Sequence, residues 1–142
     1  MITLSTKNIG GVWFGVACNG ESVFATAFAQ SQELVLRSLL RNIPFNVPFQ
    51  YSREDTFLAE HVVATLRDIY RGKDAYNKFS VNMESLSSYM QRVLRATAQI
   101  PVGYVTSYGA VARAVGGSPR AVGRVMASNP FPLIIPCHRV VA

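Results

Sequence analysis

Alternating apolar residues predict a β-hairpin near the start of the chain. Apolar side chains occupy every second position of the first predicted strand, at Val12, Phe14, Val16 and Cys18. Asn19–Gly20 has the composition of a two-residue hairpin turn, and residues 22–29 are predicted to return as the second strand. Cys18 therefore falls on the inward face, which indicates a small core residue rather than a reactive thiol.

Helical spacing of apolar residues follows the hairpin. Ser31 is a suitable N-cap, and the helix after it is predicted to bury one side, formed by Leu34, Val35, Leu39 and Leu40. A proline-broken connector is expected over residues 44–52 and a second helix over residues 56–70. His61 falls on the apolar side of that helix, where we expect a core or boundary residue. A metal ligand is disfavoured because no second ligand follows at i+4.

An amphipathic helix is predicted from Ser85 onward. Its apolar residues have the i, i+3, i+4, i+7 spacing, and they are Leu86, Tyr89, Met90, Val93, Leu94 and Thr97. Arg92 and Arg95 lie off this apolar side. The composition changes near residue 84, where we place a domain boundary.

Two short helices separated by Gly116–Gly117 form a helix-turn-helix pattern. Ser107 caps the first helix, and Ser118 caps the second, which starts at Pro119. The outer face of the second helix has small residues and two arginines, and small residues allow a helix to approach DNA closely. A helical hairpin that only covers the core remains an equally good interpretation of this pattern.

Charge is unevenly distributed along the 142 residues. Residues 1–84 have eight basic and eight acidic side chains, whereas residues 85–142 have six arginines and no acid, which accounts for the whole net charge of +6. A segregated basic half is typical of a polyanion-binding protein, although a basic solvated surface is as common. No apolar run approaches the length of a membrane span and no signal peptide opens the chain, so we expect a cytoplasmic protein with reduced cysteines.

These patterns predict a fold in two parts. Residues 1–84 form an α+β part, with a hairpin-based sheet plus helices. Residues 85–142 form an all-α domain that contains the helix-turn-helix. Because 49% of the residues are hydrophobic, the chain has enough apolar side chains for a real core.

A thiol beside an imidazole follows a buried-looking apolar run near the end of the chain. Cys137 is a soft nucleophile, and His138 can exchange a proton near neutral pH. A structural cysteine is the plain alternative. One Cys and one His are too few ligands for a metal site, so neither a metal nor another cofactor is expected. Asn129 can bind the backbone on both sides of the preceding turn.

The C-terminal half strongly resembles the O6-alkylguanine-DNA alkyltransferases. Four blocks match in order and spacing, and they are Thr106-Ser107-Tyr108-Gly109, Arg120-Ala121-Val122-Gly123, Asn129-Pro130 and Ile134-Ile135-Pro136-Cys137-His138-Arg139-Val140. The resemblance implies direct, irreversible transfer of an alkyl group from O6-alkylguanine in duplex DNA to Cys137, with O4-alkylthymine as a further candidate substrate. It also implies a ribonuclease H-like, structural sheet for residues 1–84 and a monomer whose partner is double-stranded DNA, with no nucleotide cofactor and no membrane.

Residue roles also follow from the resemblance. Cys137 would be the nucleophile, His138 its base through a water, Tyr108 a hydrogen-bond donor toward the guanine, and Asn129 the residue that holds the turn. The implied DNA contacts are Tyr108, Gly109, Ser118, Arg120, Ala121 and Arg124. Arg120 would replace the flipped base in the stack. The implied substrate pocket contains Met126, Pro132 and Val140.

The chain departs from the family pattern after the thiol. Family members continue with a Gly-rich loop and a helix carrying a Glu that orients the histidine, whereas this sequence stops at Ala142. Either the chain is truncated, or the full product is longer, or the remainder arrives as another piece. We expect this polypeptide alone to bind DNA but to alkylate itself slowly or not at all. The alternatives are a non-catalytic binder of alkylated DNA and a transcription-factor-like helix-turn-helix module.

Overall fold

The computed structural model describes residues 1–54, 56–73 and 79–142. These residues separate into two compact units, Met1–Asn82 and Met83–Ala142. We refer to them as unit 1 and unit 2.

Unit 1 is a mixed β-sheet with two helices. Its described elements are β1 Ile2–Ile9, β2 Val12–Cys18, β3 Ser22–Ala29, α1 Gln32–Arg41, β4 Phe49–Tyr51, α2 Phe57–Tyr70 and β5 Ser80–Val81. The strand order is β4-β1-β2-β3-β5. The three long strands form an antiparallel meander, β4 pairs parallel to β1, and β5 pairs parallel to β3. The expected α+β class is confirmed.

The hairpin predicted for residues 11–29 is present, but it is preceded by a strand that the apolar pattern did not predict. β1 alternates apolar with polar side chains only at its start, over residues 2–4, and it joins β2 through Gly10 and Gly11, whose φ angles of 63° and 90° suit glycine. The turn after β2 is also longer than two residues. The Asn19 side chain accepts hydrogen bonds from the backbone N–H groups of Glu21 and Ser22, so the loop covers residues 19–21.

Both faces of the central strand β2 are covered, so it buries side chains on both faces and not only the alternating residues predicted from the sequence. Phe14 meets the ring of Tyr70 in α2 edge-on, with ring centroids 5.6 Å apart. The opposite face carries Gly15 and Ala17. Ala17 belongs to a buried cluster with Val35 and Leu39 of α1. Successive side chains of a strand point to opposite faces, so α1 and α2 cover different faces of β2.

The first helix confirms its predicted cap but corrects its predicted apolar side. The Ser31 side chain accepts a hydrogen bond from the Leu34 backbone N–H at 3.2 Å. Val35 and Leu39 are fully buried, whereas Leu34 and Leu40 are 50% and 42% exposed, because they flank the side that faces the sheet.

Two further expectations in unit 1 were wrong. The proline-broken connector contains β4, an exposed strand of three residues that pairs with β1. His61 is exposed on α2 rather than in the core, with its ring edge-on to Phe79 at 5.6 Å. The sequence also predicts an extended or loop-like stretch over residues 72–84, and part of it lies outside the described residues.

Unit 2 is mainly helical. Its elements are α3 Ser88–Ala98, β6 Thr106–Ser107, α4 Tyr108–Val115, α5 Pro119–Ala127, a 3-10 turn at Cys137–Arg139, and β7 Val140–Val141. The predicted helix-turn-helix is α4 and α5. α3 begins at Ser88, later than expected, because the Ser87 side chain caps it through the Met90 N–H. The short parallel pair of β6 with β7 is an addition to the expected all-α architecture.

Within the described ranges, no helix has both the length and the apolar character needed to cross a bilayer.

The close packing of α1 on β2 generates the first prediction. A Cβ added at Gly15 would overlap Cγ1 of Val35 and lie 3.0 Å from Cδ1 of Leu39, both on fully buried side chains. Gly15→Ala should therefore lower the free energy of unfolding by about 1–3 kcal/mol through overpacking. Gly20→Ala is the matched control, since no atom lies within 4 Å of its added Cβ. Urea unfolding of both variants makes the comparison, and equal stabilities would contradict this packing.

Candidate DNA-binding and thiol site

An open groove of about 760 Å³ lies on the helix-turn-helix of unit 2. Four of the residues predicted to contact DNA line it, and they are Tyr108, Gly109, Arg120 and Arg124. The remaining lining residues are Ser107, Pro119, Gly123, Ala127 and Ala142. Most of these side chains are small or apolar, so the arginines supply the positive charge of the groove.

The start of α4 positions Tyr108. The Ser107 side chain accepts a hydrogen bond from the Ala110 N–H at 3.0 Å, which begins the helix with Tyr108 as its first residue. The Tyr108 ring packs against the backbone of Gly123, because a Cβ at residue 123 would lie only 3.4 Å from Cε2 of the ring. A small residue at this point of α5 lets the tyrosine lie close to the second helix. The sequence pattern assigned Gly123 to the outer face but did not reveal this contact.

The second helix presents its arginines to solvent. Ser118 caps α5 through the Ala121 N–H at 3.1 Å, and Pro119 occupies the first turn. Val122, Val125 and Met126 have helical spacing and are buried. Arg120 and Arg124 are exposed, and Ala121 is half-buried beside them. The helix therefore has one apolar side for its own unit and one side of small and cationic residues.

Asn129 holds the chain that leads from α5 to the thiol. Its Oδ1 accepts a hydrogen bond from the Phe131 N–H at 2.9 Å, and its Nδ2 donates to the Ile135 carbonyl at 3.0 Å. Phe131 is fully buried, and Leu133 has a positive φ of 72°, a conformation that non-glycine residues rarely adopt. The expected bond of Asn129 to both sides of the turn is confirmed.

Cys137 begins a short 3-10 turn rather than continuing a strand. Its backbone N–H donates to the Ile135 carbonyl at 2.8 Å, and the Arg139 N–H donates to Pro136 at 2.9 Å. Cys137 is a free cysteine and half-buried. The sulfur is therefore on a turn that is tied to α5 through Asn129, with part of its surface open.

Two contacts that the sequence pattern did not reveal hold the residues after Cys137, one to the chain just after α3 and one to the start of α4. Nη1 of Arg139 donates a hydrogen bond to the Ile100 carbonyl at 2.7 Å. β7 then pairs with β6, with Val140 opposite Thr106 and Val141 opposite Ser107. Since Ser107 caps α4, the same short strand pair links the residues after Cys137 to Tyr108.

His138 is placed to remain neutral near pH 7. Partial burial lowers the pKa of the imidazole, and the positive charge of neighbouring Arg139 lowers it further. Residues 85–142 contain no Asp or Glu that could reverse this effect. A neutral imidazole can accept a proton, which is the state required of a base.

The predicted pocket residues do not line the groove. Met126 and Val140 are buried and Pro132 is half-buried. Of the described residues that form the groove wall, none is Cys137, Met126, Pro132 or Val140. In the described part of the chain, no group of three or more His, Cys, Asp or Glu side chains could hold a metal ion.

Comparison with known proteins identifies the C-terminal segment. Residues 88–142 match the family model described as "6-O-methylguanine DNA methyltransferase, DNA binding domain". A methylated-DNA–protein-cysteine methyltransferase from Archaeoglobus fulgidus is 53% identical over 55 residues, which are 39% of this chain and 37% of that protein. One from Pyrococcus sp. is 34% identical over 97 residues, 68% of this chain and 55% of that protein.

A solved structure extends the likeness to the fold. The O6-methylguanine-DNA methyltransferase from the archaeon Pyrococcus kodakaraensis has a TM-score of 0.69 and 27% identity, over 100% of this chain and 86% of that one. The sequence matches above span less than two thirds of the length of either curated relative. Residues 88–142 are thus similar to the DNA-binding domain of the 6-O-methylguanine DNA methyltransferases.

Proposed function

We propose that this chain repairs duplex DNA by moving an alkyl group from O6 of guanine to Sγ of its own Cys137. The observation that carries the proposal is the double link between thiol and helix-turn-helix. Asn129 ties the thiol turn to the end of α5, and the β6–β7 pair ties it to the start of α4. A thiol held in this way suits transfer to a protein that is already bound to the lesion.

The proposed reaction is an in-line displacement at the alkyl carbon. Cys137 loses its proton through a water to neutral His138, the S–C bond forms, and the C–O6 bond breaks with its electron pair moving to O6. Tyr108 donates a hydrogen bond toward the guanine as the charge develops. The thioether stays on the protein, so each chain acts once, and the atom balance requires no metal or organic cofactor.

Recognition in this proposal begins with duplex DNA. The side of α5 that bears small residues enters the minor groove, with Gly109, Ser118, Ala121 and Arg124 at the backbone. The alkylated base is extruded because O6 in a paired guanine faces its partner, and damaged pairs cost less to open. Arg120 fills the vacated space in the stack.

The rest of the chain has a supporting place in the proposal. Met126, Pro132 and Val140, which do not line the groove on the helix-turn-helix, are the proposed pocket for the extruded base, with O4-alkylthymine as a second substrate. Residues 1–84 are a ribonuclease H-like structural domain, and residues 85–142 carry DNA binding and alkyl acceptance. The protein acts in the cytoplasm as a monomer.

Mass spectrometry of the intact protein tests alkyl transfer. After long incubation with duplex containing O6-methylguanine, the wild-type chain should gain a single methyl group in place of the thiol hydrogen. Cys137→Ser should gain none and bind the same duplex with unchanged affinity. Cys18→Ala, at the other cysteine, is the control that should still accept the group. A wild-type chain that binds alkylated duplex but never gains mass would instead be a non-catalytic binder.

Replacement of Asn129 tests how the thiol is positioned. Asn129→Ala leaves the Phe131 N–H and the Ile135 carbonyl without this partner, which should cost about 1–3 kcal/mol of folding free energy. It should slow transfer more than it weakens DNA binding, because α5 keeps its own cap. Asn129→Asp retains the hydrogen-bond acceptor but loses the donor, so its transfer rate should lie between those of the wild-type chain and Asn129→Ala. If Asn129→Ala leaves the transfer rate unchanged, the turn is not what positions the sulfur.

The lowered pKa of His138 has consequences that depend on pH. The unfolded chain takes up this proton before the folded chain does, so folding stability should decline as pH falls below the ordinary histidine pKa of about 6.5. NMR titration should place the midpoint of His138 below that value, with His61→Gln used for assignment. In the wild-type chain the rate of alkyl transfer should fall as His138 becomes protonated at low pH, and this fall should be absent in His138→Gln. A midpoint at or above the ordinary value would contradict the neutral base.

A further inference from the structure

The helix α3 is attached directly to the turn of the helix-turn-helix. The Tyr89 hydroxyl donates a hydrogen bond to the Gly116 carbonyl at 3.1 Å. Gly117, with a φ of 83°, leaves room for the same ring, since an added Cβ would overlap the hydroxyl oxygen and lie 2.9 Å from Cζ. The Tyr89 ring therefore packs on the turn that leads into α5.

Arg92 is held over this ring. Its Cζ lies 5.6 Å from the centroid of Tyr89, within the range of a cation–π contact. The residue is exposed and lies off the buried side of α3. Residues 85–142 contain no carboxylate side chain, and Glu84 is the one acidic side chain of unit 2. An exposed guanidinium group is thus held next to the helix-turn-helix turn.

We propose that Arg92 binds a phosphate of the DNA backbone, in addition to the contacts of α4 and α5. The inference rests on the proposed DNA-binding function and adds α3 to the binding surface. A guanidinium donates several hydrogen bonds in a planar arrangement that fits phosphate oxygens, and stacking on Tyr89 reduces the freedom it loses on binding. A phosphate contact orients the protein without reading sequence, so Arg92 contributes equally on alkylated and unmodified DNA.

The dependence of affinity on salt tests this contact. For unmodified duplex, Arg92→Gln should reduce the slope of log affinity against log salt concentration by about 0.9, the value for one phosphate. Arg95→Gln is the matched control on the same helix, because Arg95 is exposed and its Nη2 donates to Gln91 at 3.3 Å. It should retain the wild-type slope. Alkylated duplex should show the same change for Arg92→Gln.

Variants of Tyr89 test separately whether its ring holds Arg92 in place for DNA binding. Tyr89→Phe keeps the ring and should keep the slope, whereas Tyr89→Leu removes the ring and should lower affinity. Circular dichroism checks that each variant is folded. The inference is overturned if Arg92→Gln has the wild-type slope while Arg120→Ala weakens binding to the same duplex. If the wild-type chain binds no duplex at all, both this inference and the proposed function are overturned.

Discussion

The two hydrogen bonds of the Asn129 side chain are the constraint on which the C-terminal unit depends. One amide group binds the backbone at Phe131 and at Ile135, so the chain between them must follow one path despite the positive φ of Leu133. That path ends at Cys137 with its 3-10 turn. A polar side chain outside any helix therefore decides where the Cys137 thiol lies relative to α5, and the buried Phe131 holds the same path from within the unit.

Local signals in the sequence were sufficient to place the start of three helices. Ser31, Ser107 and Ser118 each accept the backbone hydrogen bond of an N-cap, and these residues were recognisable because the preference is local. The amide clamp of Asn129 was predictable for the same reason. The residues of the groove, Tyr108, Gly109, Arg120 and Arg124, came from the family resemblance, and the structure brings them together.

Features that depend on distant pairing could not be predicted in this way. β1 and β4 are defined by their partners rather than by strong alternation, and β6 with β7 consists of two residues each. The hydrogen bond from Arg139 to Ile100 joins residues 39 positions apart, and no periodic pattern in the sequence predicts it. The predicted burial of Leu34, Leu40 and His61 was wrong for a related reason. Only the position of the sheet decides which side of a helix is covered.

The absence of acidic side chains from residues 85–142 has a consequence for how the protein responds to ions. The ion pair of Arg37 with Glu33 lies in unit 1, whereas unit 2 has six arginines against one acidic side chain, Glu84, so its positive charges repel one another. Added electrolyte screens that repulsion and should make unit 2 more resistant to unfolding, yet the same screening weakens attraction to a polyanion. Under the proposed function, the stability of unit 2 and its affinity for DNA therefore have opposite ionic-strength optima, and the bound duplex would itself be the counterion that stabilises the unit.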